Sequence, residues 1–199
     1  MQKKAVSFIL LFVLMSGINF PVFSEEKEPV DQKTEILEAI KTLKQAIADN
    51  NDPMRNKMYF KFRLIEQDTP GVVAPYLIAN LNDEAAGVSE YIAFILGWIE
   101  DKRAIQPLRE LLTKKDSQKI AAARALGFMR AEESIPDIVA LLEDTNPRVR
   151  GDAAYSLGLM GNDKANAALQ KATQDDDELV RYFAQEALQR IEDYKKFGW

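Results

Sequence analysis

Three consecutive aspartates, Asp175, Asp176 and Asp177, are the densest group of side chains in this sequence that could do chemistry. Grouped carboxylates can bind calcium or act as the acid and base of a glycosidase. A calcium loop also needs a glycine at its turn and a glutamate at a fixed offset, and the segment has neither. Acidic residues just before a helix cap its N-terminus. We therefore interpret the three aspartates as a helix start with solvated charge.

The sequence contains no histidine and no cysteine. The commonest general base, the thiol nucleophile and the usual transition-metal ligands are therefore missing. The glycines at positions 97, 127 and 158 do not form a phosphate-binding loop, because none follows a strand. These observations predict a protein that is not an enzyme and that holds no cofactor and no metal.

The charge balance argues against nucleic acid as a partner. The 199 residues carry 26 basic and 31 acidic side chains, a net charge of −5. Such a chain repels phosphate backbones, and no basic stripe with interleaved aromatics is visible. The absence of cysteine also excludes disulfides, so stability must come from packing.

The first 24 residues have the pattern of a secretory signal peptide. Lys3 and Lys4 precede an apolar run from Ala5 to Met15, and the small residue Ser24 precedes an acidic leader. The alternative, an uncleaved membrane anchor, needs a longer apolar stretch. The pattern predicts an exported protein, in the periplasm or secreted, with no stable membrane anchor after cleavage.

A Leu-Gly pair recurs with glycine spacings of 30 and 31, at Leu96-Gly97, Leu126-Gly127 and Leu157-Gly158. A second apolar run begins eight residues after each glycine. Apolar residues within the runs recur with a period near 3.6, which indicates helices. A repeat of this length predicts an all-α superhelix of about four and a half two-helix units. Glycine at a fixed position suggests close contact between neighbouring helices.

The units resemble HEAT repeats of the short bacterial kind also seen in phycobilisome-lyase-like proteins. The segment VRGDAAYSLGLMG carries the resemblance, which covers about residues 56–195. It implies a HEAT-like solenoid with a ladder of hydrogen bonds between Arg150 or Arg181 and an upstream Asp144 or Asp175. Ser89 and Lys119 depart from the arginine pattern. The resemblance also implies a remote alternative, an enzyme that attaches bilins to proteins.

The sequence predicts three segments: a signal peptide at 1–24, an acidic leader with an amphipathic helix at 25–52, and the repeats at 53–199. The amphipathic helix is interpreted as a cap over the first repeat. The alternative is a coiled coil that forms a homodimer. Its apolar stripe consists of Ile36, Leu37, Ile40, Leu43 and Ile47.

Aromatic residues mark two further places. Tyr91, Phe94 and Trp98 add a second apolar stripe to their helix, which predicts that the helix is buried all round. The N-terminal helix or a partner protein would then cover this stripe. At the other end we expect the C-terminal aromatics to fold back over the last unit; they are Tyr194, Phe197 and Trp199.

The second helix of each unit is expected to line the concave side of the superhelix, where partners dock. This face has mixed charge and suits a protein or peptide partner. The favoured function is a non-catalytic scaffold in the bacterial cell envelope, and the alternative is a self-associating structural protein. The candidate partner-binding residues are Gln106, Arg109, Glu110, Thr113, Asp137, Ala140, Glu143, Gln170 and Lys171.

Overall fold

The structure, a computed structural model, describes residues 31–85 and 87–198, and all the regular secondary structure in these ranges is helical. The predicted signal peptide and Trp199 lie outside the described residues. None of the described helices combines the length and the apolar character needed to cross a bilayer. The α-helices are α1 (Gln32–Ala48), α2 (Asp52–Asp68), α3 (Ala74–Ile78), α4 (Val88–Ile99), α5 (Ile105–Leu111), α6 (Asp116–Phe128), α7 (Ile135–Ala140), α8 (Pro147–Met160), α9 (Asn166–Ala172) and α10 (Glu178–Phe197).

Helices α2 to α10 form four two-helix units and one additional first helix. The first helices are α2, α4, α6, α8 and α10, and the shorter second helices are α3, α5, α7 and α9. Helix α1 packs against α2 and also reaches α3, so it caps the first unit. The all-α, HEAT-like solenoid of about four and a half repeats is therefore confirmed.

Local sequence explains where the first helices begin. Asn146 precedes Pro147, the first residue of α8, and its side chain accepts a hydrogen bond from the Arg148 backbone N–H. Asp177 accepts bonds from two backbone N–H groups in the first turn of α10. Both arrangements satisfy helix N–H groups that lack an intrahelical partner. The interpretation of the acidic segment at 175–177 as a helix start is confirmed, but its charge is not solvated throughout, because the Asp175 side chain is only 11% exposed and pairs with Arg150.

Consecutive first helices contact each other through their backbones at the repeat glycines. A methyl group placed at Gly97 would lie 2.8 Å from the Cα of Ala125, and one placed at Gly158 would lie 2.8 Å from the Cα of Ala187. At Gly127 the closest backbone atom would be 3.0 Å away. Glycine is needed here because any side chain would separate the helices.

The leucine before each of these glycines belongs to the core. One apolar cluster extends from α1 to α10 without interruption. Leu96, Leu126 and Leu157 have no exposed surface. Because each unit buries its apolar face against the next one, stability is expected to depend on the interfaces between neighbours.

A ladder of ion pairs links the loops before the first helices. Arg150 on α8 donates from Nε and Nη2 to both carboxylate oxygens of Asp175, each at 2.8 Å, and from Nη1 to the Asp144 carbonyl at 2.9 Å. Lys119 Nζ lies 2.7 Å from Asp144 Oδ2 in the preceding interface. Arg181 donates to the backbone carbonyl of Asp175 instead. Lysine therefore replaces arginine at position 119 without loss of the ladder.

The ladder continues to α1 with a different residue. Lys44 of α1 lies 2.7 Å from Asp83, in the loop before α4. Asp83, Asp144 and Asp175 also each accept a bond from the backbone N–H two residues later. The Lys44 hydrogen bond and that backbone bond lower the pKa of Asp83. The cap helix is thus attached by the same interaction that joins the repeats.

The prediction that α4 is buried all round is wrong. Phe94 is 39% exposed and Trp98 is 45% exposed. Helix α1 does not cover them, because only Asp49, Asn50 and Asn51 connect it to α2. A connection this short makes α1 pack back on α2.

The prediction that the C-terminal aromatics fold back is wrong for Tyr194 and Phe197, because α10 continues without interruption to Phe197; Tyr194 contacts the last unit from within this helix. The Tyr194 ring packs on the backbone of Gly161, and the Arg130 guanidinium lies 4.5 Å from the ring centroid. Phe197 is 61% exposed at the end of α10.

Replacement of Gly158 by alanine should destabilise the protein by about 1–3 kcal/mol, although alanine is the better helix former by about 1 kcal/mol. The new methyl would meet the backbone of Ala187, which cannot move alone. Gly151→Ala is the matched control on α8, because its methyl would meet only side-chain atoms, the nearest of them in Phe183 at 3.3 Å. Urea unfolding of both variants measures the difference, and equal midpoints would contradict the role given to Gly158.

Replacement of Asp175 by asparagine should cost about 2 kcal/mol of unfolding free energy at pH 7. Hydrogen bonding from Arg150 lowers the pKa of Asp175 from 3.8 to about 2. The stabilisation is therefore complete above about pH 4 and is lost as the pH falls toward 2.

In urea titrations, the difference in unfolding free energy between the wild type and Asp175→Asn should therefore become smaller as the pH falls from about 4 toward 2. Asp176→Asn is the control, since Asp176 also lies 2.9 Å from Arg150 but its side chain is 92% exposed. A difference for Asp175→Asn that does not change with pH would refute the assignment.

Candidate protein-binding surfaces

The ladder lacks an ion pair at the interface between α4 and α6, and a cleft lies at the same interface. Position 89 on α4 corresponds to Lys119 and Arg150, and position 113 corresponds to Asp144 and Asp175 in the loops. Here the two positions hold Ser89 and Thr113, so both charges are missing together. The Ser89 hydroxyl accepts a hydrogen bond of 3.1 Å from Gln118 instead.

The cleft at this interface has a volume of about 1100 Å³ and a polar lining. Its wall combines acids and bases, among them Asp83, Glu90, Glu110, Lys114 and Lys115. Within the described ranges no three His, Cys, Asp or Glu side chains converge in a way that could hold a metal ion. The cleft is therefore a polar recess with charges of both signs, and its carboxylates do not form a metal-binding cluster.

The residues predicted on the second helices form contacts with one another. Arg109 Nε on α5 lies 2.6 Å from Asp137 Oδ2 on α7, and this bond raises the pKa of Arg109. Glu143, just after α7, lies 2.8 Å from Lys171 on α9. The remaining predicted residues are exposed but join no ion pair among the described residues; they are Gln106, Glu110, Thr113, Ala140 and Gln170. Their role in partner binding stays a prediction.

A row of aromatic rings crosses the first helices, and sequence reasoning found only part of it. Ring centroids lie 5.6 Å apart for Tyr59 and Phe94, and 6.2 Å apart for Phe94 and Trp98. Trp98 on α4 stacks on Phe128 of α6 at 5.2 Å with an interplanar angle of 27°. Such separations are typical of attractive aromatic pairs. We call these four rings the N-terminal half of the aromatic row.

A C-terminal half lies on α8 and α10. Tyr155 and Phe183 are 5.8 Å apart, and Phe183 and Tyr182 are 5.5 Å apart. The guanidinium groups of Arg124 and Arg190 lie 5.9 and 5.5 Å from the Tyr155 ring centroid. These distances permit cation–π attraction.

An apolar cleft of about 560 Å³ separates the two halves. Phe94 and Phe128 line it from one side, and Tyr155 and Phe183 line it from the other. We call it the gap.

Much of this face remains accessible to a partner. Phe94, Trp98 and Tyr182 are 39%, 45% and 53% exposed, and Phe60 and Leu64 on α2 extend the apolar area at 58% and 62%. Contiguous exposed apolar surface is a common mark of protein interaction sites.

The repeat register contains a signal that could have identified the row. Phe94 and Tyr155 stand three residues before a repeat glycine, and Trp98 and Phe128 stand one residue after one. These positions lie beside the contact between first helices, on its solvent side. Comparing these positions across the units would have placed the four aromatics on one face.

Comparison with known proteins supports the repeat architecture. Residues 117–189 match the family model for HEAT repeats, and residues 90–114 match that for the PBS lyase HEAT-like repeat. Among curated proteins, deoxyhypusine hydroxylase-B of Oryza sativa subsp. japonica is 32% identical over 127 residues, which is 60% of this chain and 42% of that protein. The chain spans less than half the length of the curated relatives that it matches.

Two solved structures have a similar fold. One is the complex of CpcE and CpcF of phycocyanin lyase from Nostoc sp. PCC7120, with a TM-score of 0.64 and 20% identity over 76% of this chain and 98% of that chain. The other is human deoxyhypusine hydroxylase in complex with glycerol, with a TM-score of 0.55 and 22% identity over 80% and 63% of the two chains.

The prediction that this protein is not an enzyme is wrong. It rested on the absence of histidine and cysteine, whereas the curated relatives that the chain matches are named as hydroxylases, which points to an enzyme-like function. The chain is a HEAT-like helical solenoid that is similar in sequence to two deoxyhypusine hydroxylases and similar in fold to a chain of phycocyanin lyase.

Proposed function

We propose that this chain is a component of a protein-modifying enzyme and that it binds a second protein through the aromatic row on its first helices. The observation that carries the proposal is the exposure of Phe94 and Trp98, together with Phe60 and Tyr182, on one face. Large aromatic side chains dominate the energetics of protein interfaces. Each of these four rings keeps more than a third of its surface exposed within residues 31–85 and 87–198.

The comparisons support both parts of this proposal. The phycocyanin lyase structure is a complex of two proteins, and the similarity extends over 98% of the matched chain. Its name describes an enzyme that acts on a protein, phycocyanin. The exposed aromatic row supports a binding role for this chain within the enzyme.

The first helices offer a better surface for a partner than the second helices do. On the second helices, Arg109 is paired with Asp137 and Glu143 is paired with Lys171. A partner that used these charges would have to compete with existing ion pairs. A partner that contacts the rings of the aromatic row does not have to break an ion pair. Burial of their apolar surface is favourable by about 25 cal/mol per Å².

We also propose that the enzyme acts outside the cytoplasm, in the periplasm of a bacterial envelope or as a secreted protein. The support is the basic, apolar and small-residue pattern of residues 1–24. An intact mass of the purified chain that begins at Glu25 would agree with this proposal. A mass that includes Met1 would contradict it.

Capture of the partner from extracts of the source organism tests the binding face. The tagged full-length wild type should retain one dominant protein, identified by mass spectrometry, and Trp98→Ala should retain at least about tenfold less because a central aromatic contact is lost. The matched control is the double exchange Arg109→Asp with Asp137→Arg. It preserves the ion pair while inverting the charge pattern on the second helices.

If Trp98→Ala still captured the partner and the double-exchange variant did not, binding would be assigned to the second helices. This result would refute binding through the aromatic row. The modifying role is tested on the captured partner itself. Its intact mass should differ between cells with and without this protein. An identical mass in both would refute the modification.

A further inference from the structure

We infer that the partner inserts a large apolar or aromatic side chain into the gap of the aromatic row, from an amphipathic segment that carries acidic residues beside it. This inference rests on the proposed function and specifies the chemistry of the partner. It follows from the shape of the gap and from the charges around it.

The gap has the size and lining of a seat for side chains. Its volume of about 560 Å³ lies within the range of about 300–1,000 Å³ usual for binding pockets. Its lining includes the half-buried Ile120 and Ala121 on α6. An apolar side chain of the partner would therefore lose water contact on entering it.

The rings at both edges favour an aromatic group between them. Phe128 already stacks on Trp98 in one half of the row, and Tyr155 already pairs with Phe183 in the other. Both Phe128 and Tyr155 line the gap, so a ring bound there would have an aromatic neighbour on each side. The inserted ring would connect the two halves into one continuous row.

The acids at the rim of the gap are already bound. Glu90 accepts a hydrogen bond from Ser117. Asp116 accepts bonds from Lys119 at 3.2 Å and Asn146 at 2.8 Å, and these bonds lower its pKa. Lys119 therefore partly compensates the charge of Asp116, whereas the neutral Ser117 hydroxyl leaves the charge of Glu90 in place.

Two arginines near the gap are not neutralised in this way. Arg148 lines the gap, and Arg190 lies beside Tyr155; both are exposed, and neither is within 4 Å of a carboxylate of the described residues. Glu186, four residues before Arg190, is exposed and forms no ion pair with it. The unpaired arginines favour an acidic partner.

A second copy of this chain fits the gap less well. A twofold contact through this face would place Arg148 and Arg190 near the same residues of the other copy. Like charges in an interface cost free energy. A different protein with acidic residues avoids this repulsion.

The test uses two synthetic peptides of about 15 residues, long enough for a marginal helix. One carries Phe and Leu four residues apart on one face and glutamates beside them, and the other has lysine in place of every glutamate. Binding is measured by the fluorescence of Trp98 in the Trp199→Phe variant, because the chain has only two tryptophans.

At low salt the acidic peptide should bind at least about tenfold more tightly than the lysine peptide, and salt should reduce the difference. Arg148→Glu with Arg190→Glu should abolish this preference. Ala121→Phe should weaken binding of the acidic peptide at least tenfold, because the new side chain fills the gap. Ala167→Phe on α9 adds the same bulk at an exposed alanine of a second helix and should have no effect.

Equal or tighter binding of the lysine peptide, or unchanged binding by Ala121→Phe, would overturn the inference. A wild-type dimer in light scattering that dissociates in Ala121→Phe would also overturn it, because a second copy would then be the occupant.

The partner capture described above, repeated with Ala121→Phe, separates this inference from the proposed function. Loss of the partner in Trp98→Ala but not in Ala121→Phe would refute insertion into the gap and leave the proposed function standing. Retention in both variants would refute both proposals, and loss in both would support both.

Discussion

The backbone contact between consecutive first helices is the constraint on which the rest of this structure depends. It exists only because Gly97, Gly127 and Gly158 have no side chain at the point where the next helix passes. The contact fixes the register between neighbouring first helices. The positions three residues before and one residue after each glycine are therefore brought side by side, and four of them hold the aromatics Phe94, Trp98, Phe128 and Tyr155. The aromatic row follows directly from the repeat glycines.

The ion-pair ladder varies more than the glycine contact does. Arginine, lysine and a lysine from the cap helix all supply the cation, and each bonds an aspartate in a loop. At the one interface without a rung, Ser89 and Thr113 replace both charges, and neither charge is left unpaired. This joint replacement is understandable, since a single buried charge without its partner costs far more than the loss of the pair. The polar cleft lies where the ladder is interrupted.

Much of the fold could be predicted from the sequence. The period of the Leu-Gly pairs gave the helices of each unit, and Asn146-Pro147 and Asp177 marked helix starts by local capping. These features depend on neighbours in sequence. The cap formed by α1 was predicted, but the exposure of Trp98 was not, because a three-residue connection makes α1 pack on α2 and leaves Trp98 uncovered by it. Exposure of this kind depends on tertiary structure and has no local signal.

The candidate binding surfaces could also be predicted only in part. Most of the polar residues predicted on the second helices are exposed, but the sequence did not indicate that Arg109 and Asp137 would bind each other across 28 positions. A residue type identifies a charge, whereas its availability to a partner depends on what folding brings next to it. The inference from missing histidine to missing enzyme function contains a related error. Composition limits which groups a chain can contribute to a reaction, but an enzyme assembled from two proteins needs only one of them to contribute those groups.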